Sequence, residues 1–182
     1  MTAPSDLVGP PRLTGSALLR AVFRRHAAGV AVITVPGKGG PRGFTATSLT
    51  SVSAEPALLS FGVGVASSTW PALAEADHVG VHVLAEGQRE LAATFARGGV
   101  DRFAPPTAWH VGAEGVPVLE GVLAAVVCRV VGRVPAGDHR IVVAELVSAE
   151  PVAGDTDGLA GPLLYHQGRF TGLRDRPGRT AR

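Results

Sequence analysis

The apolar residues of this chain come in short bursts, each cut off within a few residues by glycine or proline. Residues 30–35 read VAVITV, almost all β-branched, and residues 58–63 and 78–84 read LLSFGV and HVGVHVL. Bursts of that length, rich in valine and bounded by turn residues, are strands rather than helices. The pattern resumes over residues 118–134, where Gly121 divides a long apolar stretch, then over 140–147, and as a last strand or hairpin over 162–170. Helical spacing shows in two places. Leu18, Leu19, Val22, Phe23 and His26 mark one buried stripe behind a cap at Thr14 or Ser16, and Leu91, Ala92 and Phe95 mark another within 87–96. Pro71 opens a further short helix, since a missing N–H costs nothing in a first turn. Strands dominate and long βαβ alternation is absent. The predicted fold is therefore mainly β with flanking helices, a closed antiparallel barrel of Greek-key type.

A chain of 182 residues suits one domain with a real core, expected over 14–173 between a Pro-rich arm at 1–13 and a basic tail at 174–182. Hydrophobic residues make up 46% and charged residues 18%, which excludes a disordered chain. No apolar run approaches the roughly 20 residues of a membrane helix. The first residues lack the basic start and apolar core of a secretory signal. One cysteine, Cys128, sits in an apolar run; it excludes a disulfide framework and fits the reducing cytoplasm. The net charge of +2 includes Arg174, Arg176, Arg179 and Arg182 of the tail, so the body is near neutral and does not point to nucleic acid.

Chemistry concentrates in residues 43–53, GFTATSLTSVS. Thr45, Thr47, Ser48, Thr50, Ser51 and Ser53 carry hydroxyls, interleaved with Phe44, Ala46, Leu49 and Val52. Buried hydroxyls need partners, so so dense a run packs a core poorly. It is either a half-exposed Ser/Thr-rich edge strand or the wall of a site for a flat polar ligand. The Gly-rich turn before it, residues 36–43, matches neither GxxxxGK[ST] nor GxGxxG and reads as a hairpin loop. Ser67, Ser68 and Thr69 precede Pro71 at a helix N-terminus, where they either cap the helix or meet an anion. His78 and His82 are four apart, but on a strand that separation is about 13 Å, too far to share a metal. No metal site is predicted. Residues 97–103 form a loop with two arginines beside Phe103, and Trp109 falls in a Pro-rich loop. The turn at 135–139 projects Asp138 and His139.

Seven pieces in this order resemble the short-chain flavin reductase family, built on the FMN-binding split barrel. They are GVAVIT (29–34), GFTATSLTSVSAEP (43–56), SST (67–69), LAATFA (91–96), DRF (101–103), GDH (137–139) and PLLY (162–165). The resemblance covers nearly the whole chain. It implies that FMN or FAD binds with Thr45, Ala46, Thr47 and Ser48 along the isoalloxazine edge, and with Ser51 near the ribityl chain or phosphate. It further implies that Ser67, Ser68 and Thr69 meet the phosphate, and that Phe95, Arg102 and Phe103 close the far side. His139 would face the nicotinamide of NAD(P)H, with Tyr165 as a weaker neighbour. The chain departs from the family at Thr47, where Asn is frequent, and at Leu49, where an aromatic is frequent.

The activity so implied is NAD(P)H-dependent reduction of flavin, with the reduced flavin passing to a separate monooxygenase, in a cytoplasmic homodimer. Hydride transfer belongs to the cofactor, which explains a sequence without a Ser-His-Asp or paired-carboxylate arrangement. Two other readings share the barrel. One is a flavin-binding module without reductase activity. The other is an oxidase similar to the pyridoxamine phosphate oxidases, which requires a basic cluster that the body of the sequence does not display.

Overall fold

The computed structural model describes residues 14–150 and 161–173. The arm at 1–13 and the tail at 174–182 lie outside these residues. In chain order the elements are α1 (Gly15–Phe23), β1 (Ala28–Gly29), β2 (Ala31–Val35), β3 (Arg42–Ala46), β4 (Thr50–Ser53), β5 (Leu58–Gly64), α2 (Trp70–Glu75), β6 (His78–Val83) and α3 (Arg89–Ala96). There follow β7 (Trp109–Val111), β8 (Pro117–Leu119), β9 (Ala124–Ala136), β10 (His139–Glu150), β11 (Leu163–His166) and β12 (Arg169–Gly172).

Seven strands form one antiparallel sheet in the order β3-β2-β6-β9-β10-β5-β4. Its two edge strands, β3 and β4, are joined by residues 47–49 alone. A flat seven-stranded sheet would hold its edges about 29 Å apart, at roughly 4.8 Å per strand. The link from Ala46 to Thr50 spans at most about 14 Å when fully extended. The sheet must therefore curl until its edges nearly meet, and Phe44 of β3 and Phe61 of β5 lie with ring centroids 6.2 Å apart across the seam. β3 and β4 are not paired with each other, which leaves a split barrel. The hydroxyl run is thus two edge strands and the corner between them, rather than one strand.

β2 is buried along its whole length, which accounts for its largely apolar sequence; its one polar residue, Thr34, donates its hydroxyl to Pro117 O at 2.5 Å. Ile33 and Val35 face the barrel interior with Phe61, Val63, Val81 and Val142. Val30 and Val32 join a second core with Leu84, Phe95, Phe103 and Leu163. Leu163 locks the ribbon of β11 and β12 to this core, its N–H donating to Leu84 O at 2.8 Å and its carbonyl accepting from Val30 N at 2.9 Å. Cys128 is buried in the first core and its thiol is pushed up to about 12 by burial, so it is inert.

Two expectations are corrected. The α1 stripe is not buried: no residue of the helix is, and Leu19 and Phe23 are each 59% exposed. The spacing gives an apolar face but not what covers it, and nothing among the described residues lies over this one. Trp109 starts a strand rather than lying in a loop. β7 pairs with β8, and the Trp109 indole N–H donates to Phe103 O at 3.1 Å. The stretch around Gly121 resolves into β8 and β9, separated where Gly121 adopts φ +67°.

Candidate flavin site at the barrel seam

Alternation along β5 sets up the site. Leu59, Phe61 and Val63 point into the core, so Ser60, Gly62 and Gly64 lie on the outer face. Ser48, in the corner between the edge strands, closes against this strip; its Oγ accepts from Gly62 N at 2.8 Å. At the other end Gly64 pairs with His139, the first residue of β10. A Cβ on Gly62 would meet Ser48 Oγ at 3.4 Å, and one on Gly64 would meet His139 Nε2 at 3.7 Å. The two glycines therefore form a flat floor, about 7 Å from one to the other, with a hydroxyl at one end and an imidazole at the other. The SerPheGlyValGly alternation of residues 60–64 carried this signal in the sequence. Such a cradle, which side chains on the two glycines would fill, fits a planar ring system.

His139 is set by a two-residue hairpin. Gly137 takes φ +60°, a conformation that favours glycine, and Asp138 follows it. Asp138 Oδ1 lies 2.7 Å from His139 Nδ1, and that hydrogen bond holds the Asp138 carboxyl below its usual range. The bond orients the ring and leaves Nε2 toward Gly64. Val65 N donates to Asp138 O at 2.9 Å, fastening the hairpin to the end of β5.

Beyond Gly64 the chain turns through Ser67, whose N–H donates to Gly64 O at 3.0 Å. Ser67 Oγ then accepts from Thr69 N. Thr69 is fully buried and its hydroxyl donates to Gly43 O at 3.0 Å, so it fixes the loop to β3 rather than facing solvent. Ser68 is exposed and 3.4 Å from Arg102 Nη1, which also donates to Gly43 O at 2.8 Å. Arg97 O accepts from Arg102 Nε at 3.0 Å, so the guanidinium is held from two sides. Its cleft, about 630 Å³, is walled by Arg42, Gly43, Ser68, Arg102, Phe103 and Trp109.

The remaining predicted residues divide into three groups. Phe95 and Ala46 are buried, so neither side chain faces a ligand; a Cβ on Gly43 would meet Phe95 at 2.8 Å, and only glycine lets β3 lie so close. Phe95 supports Phe103 edge-on at 5.2 Å. Thr45 donates to Ala92 O at 2.6 Å, and with Thr47 and Tyr165 it lines a cleft of about 760 Å³. Thr47, Ser48 and Tyr165 also line an adjoining cleft of about 570 Å³. Ser51 stands apart, in a shallow groove with Leu58 and Leu146, and does not meet Ser68 or Arg102. Arg89 and Arg169 line the first Tyr165 cleft together with Glu90, and Arg20 and Arg24 line the second.

A split antiparallel barrel with a glycine strip on its outer face and a neighbouring arginine-lined cleft suits a flat, phosphorylated ligand. The chain belongs to the flavin reductase like domain family, which it matches over residues 23–174. It is 44% identical over 151 residues to an NADH:FMN oxidoreductase of Rhodococcus qingshengii, covering 83% of this chain and 78% of that one. It is 36% identical to the reductase component of a 4-nitrophenol monooxygenase from Rhodococcus opacus, covering 83% of this chain and 77% of that one. Among solved structures, the NADH:FAD oxidoreductase of Streptomyces globisporus, in complex with NAD and FAD fragments, superposes with a TM-score of 0.78 at 34% identity, covering 89% and 93% of the two chains.

Proposed function

We propose that this chain reduces FMN or FAD with NAD(P)H and passes the reduced flavin to a separate monooxygenase. The observation that carries the reading is the strip of Gly62 and Gly64 on the outer face, flanked by Ser48 and His139. Family membership says which ring system it takes, and relatives named for both FMN and FAD leave the flavin open. Bound flavin supplies the acceptor for the nicotinamide hydride, so NAD(P)H and a proton with oxidised flavin give NAD(P)+ and reduced flavin. The protein contributes position. Ser48 holds the ring edge, Ser68 and Arg102 take the phosphate, and His139 orients the nicotinamide at the open end of the strip. No side chain has to exchange a proton in the hydride step itself.

The same outer face carries Val134 and Ile141, paired across β9 and β10 and both exposed. A second copy of the chain covers this apolar patch in our reading, placing the strip at the edge of a homodimer interface. No described helix is long and apolar enough to cross a membrane; with its lone buried thiol the enzyme belongs in the reducing cytoplasm.

The test is consumption of NADH and NADPH followed at 340 nm, with FMN, FAD or no added flavin. Turnover that requires flavin and saturates with it supports the reading and ranks both pairs of substrates. A purified protein that binds flavin but oxidises neither nucleotide would replace the reductase with a binding module.

A further inference from the structure

An arginine stands where the pattern of β10 calls for an apolar side chain. Val142 and Ala144 are fully buried in the first core, and by strand alternation Arg140 shares their face. It lies opposite Val63 of β5, which is also buried. A guanidinium at the mouth of an apolar barrel needs partners, and the structure supplies two. Arg140 Nη1 donates to His139 O at 2.9 Å. Its Cζ stands 5.8 Å from the centroid of the Trp70 ring, within reach of a cation–π contact. Trp70 opens α2, and its backbone N–H donates to Ser67 O at 3.0 Å, while Ser67 N–H donates to Gly64 O at 3.0 Å. Arg140 therefore lies between two pieces of the site, the hairpin that carries His139 and the loop that carries Ser68.

Neighbours on a strand point to opposite faces, so the His139 ring stands on the outer face while Arg140 reaches back over the barrel mouth. The imidazole is exposed, and its hydrogen bond is to Asp138, which is exposed as well. A pair so placed holds a ring only weakly against water. The backbone behind it is held from two sides, by Val65 N donating to Asp138 O and by the Arg140 guanidinium on His139 O. We infer that Arg140 is a positioning residue for the nicotinamide. It fastens the His139 peptide to the Trp70 indole and so fixes where the imidazole stands relative to Gly64 and the loop at 67–69. A planar guanidinium suits both tasks, since it stacks on a ring with its face and donates along its edge. The inference rests on the reading that His139 faces the nicotinamide of a reductase.

The test compares steady-state oxidation of NADH and NADPH at saturating FMN or FAD for wild type, Arg140→Met, Arg140→Lys, His139→Ala and the double variant His139→Ala/Arg140→Met. Methionine keeps an apolar stem over the barrel mouth and removes both charge and donor. Arg140→Met is expected to raise KM for the preferred nucleotide about fivefold, the scale of a charge-assisted hydrogen bond and a cation–π contact at a partly exposed position. Its kcat should stay within about twofold, and so should the flavin dissociation constant read by fluorescence quenching. Arg140→Lys should recover part of the loss, because it returns the charge and a donor without the plane. In the His139→Ala background Arg140→Met should change KM no further, since two residues acting through one contact are not additive. Additive effects, an unchanged KM in Arg140→Met, or a flavin constant that rises as much as KM each overturn the inference. His139→Ala with wild-type kinetics overturns it too, and leaves the reductase standing. A wild type that oxidises neither nucleotide overturns the reductase reading itself, before any variant is made. Circular dichroism checks the fold of each variant, and Arg140→Gln reads the same loss if the methionine variant does not fold.

Discussion

Gly64→Ala sets stability and binding against each other. Gly64 is not at positive φ, and a methyl there would touch only His139, at 3.7 Å from Nε2 and 3.9 Å from Cε1. Those are ordinary contacts, so the folded state suffers no strain. The unfolded chain loses freedom, and the fold should gain about 0.4–1 kcal/mol. For a domain of this size that raises Tm by roughly 1–4 °C. The site, however, loses its floor. A methyl raises the surface beneath a stacked ring, and a gap of 0.5–1 Å forfeits about a quarter to a half of each dispersion contact beyond it. A loss of about 1.4 kcal/mol, or tenfold in affinity, is the expected scale. Thermal melting and flavin titration on the same preparation read both quantities. A variant that melts higher and binds flavin as wild type does would refute the glycine floor.

Three further outcomes follow from the same geometry. His139→Ala should raise KM for NAD(P)H and leave Tm within a degree or so, because the His139 side chain is exposed and its hydrogen bond is to its exposed neighbour Asp138; an unchanged KM and kcat would remove its role with the nicotinamide. His82 is fully buried, with Nδ1 on Val32 O at 3.0 Å and Nε2 without a partner, and burial lowers its pKa to about 4. Its unfolded pKa is near 6.5, so the unfolded state binds the extra proton first. Stability is therefore full above pH 6.5 and declines toward pH 4, by up to about 3 kcal/mol. Urea midpoints across that range should show the slope in wild type and a flatter one in His82→Gln. Ile141→Glu places a charge on the exposed patch shared with Val134, and size-exclusion chromatography with light scattering should show dimer converted to monomer. Two species of dimer mass would place the subunit contact elsewhere, and a wild type of monomer mass would overturn the homodimer itself.

Much of this was legible in the chain because it depends on local periodicity. The valine-rich bursts gave β2, β5, β6 and β10, the spacing of Leu91, Ala92 and Phe95 gave α3, and Gly121 and Gly137 marked breaks where only a glycine sits comfortably. The hydroxyl run drew attention by composition, and the motif order around it gave the family. Burial was less legible, because it belongs to pairs of elements rather than to one. The stripe on α1 and the stripe on α3 look alike in sequence; α3 lies on β3 and buries Ala92 and Phe95, whereas α1 buries nothing. Thr69 and Ser68 are neighbours of similar chemistry, yet one is sealed beneath Gly43 and the other is open to the cleft.

Sequence alone determined most of the strands, the main turns, and which side chains carry hydroxyls, because those follow from backbone preference and side-chain period; β7 and the division of the hydroxyl run into β3 and β4 it did not. Tertiary structure alone decided that residues 47–49 fold the sheet edge to edge, that Ser48 and His139 face each other along a glycine strip, and that Arg42 and Arg102 share a cleft although 59 residues separate Gly43 from the arginine bonded to it. The reason is that sheet order and curl are set by long-range pairing, and a site built from four elements exists only once those pairings close.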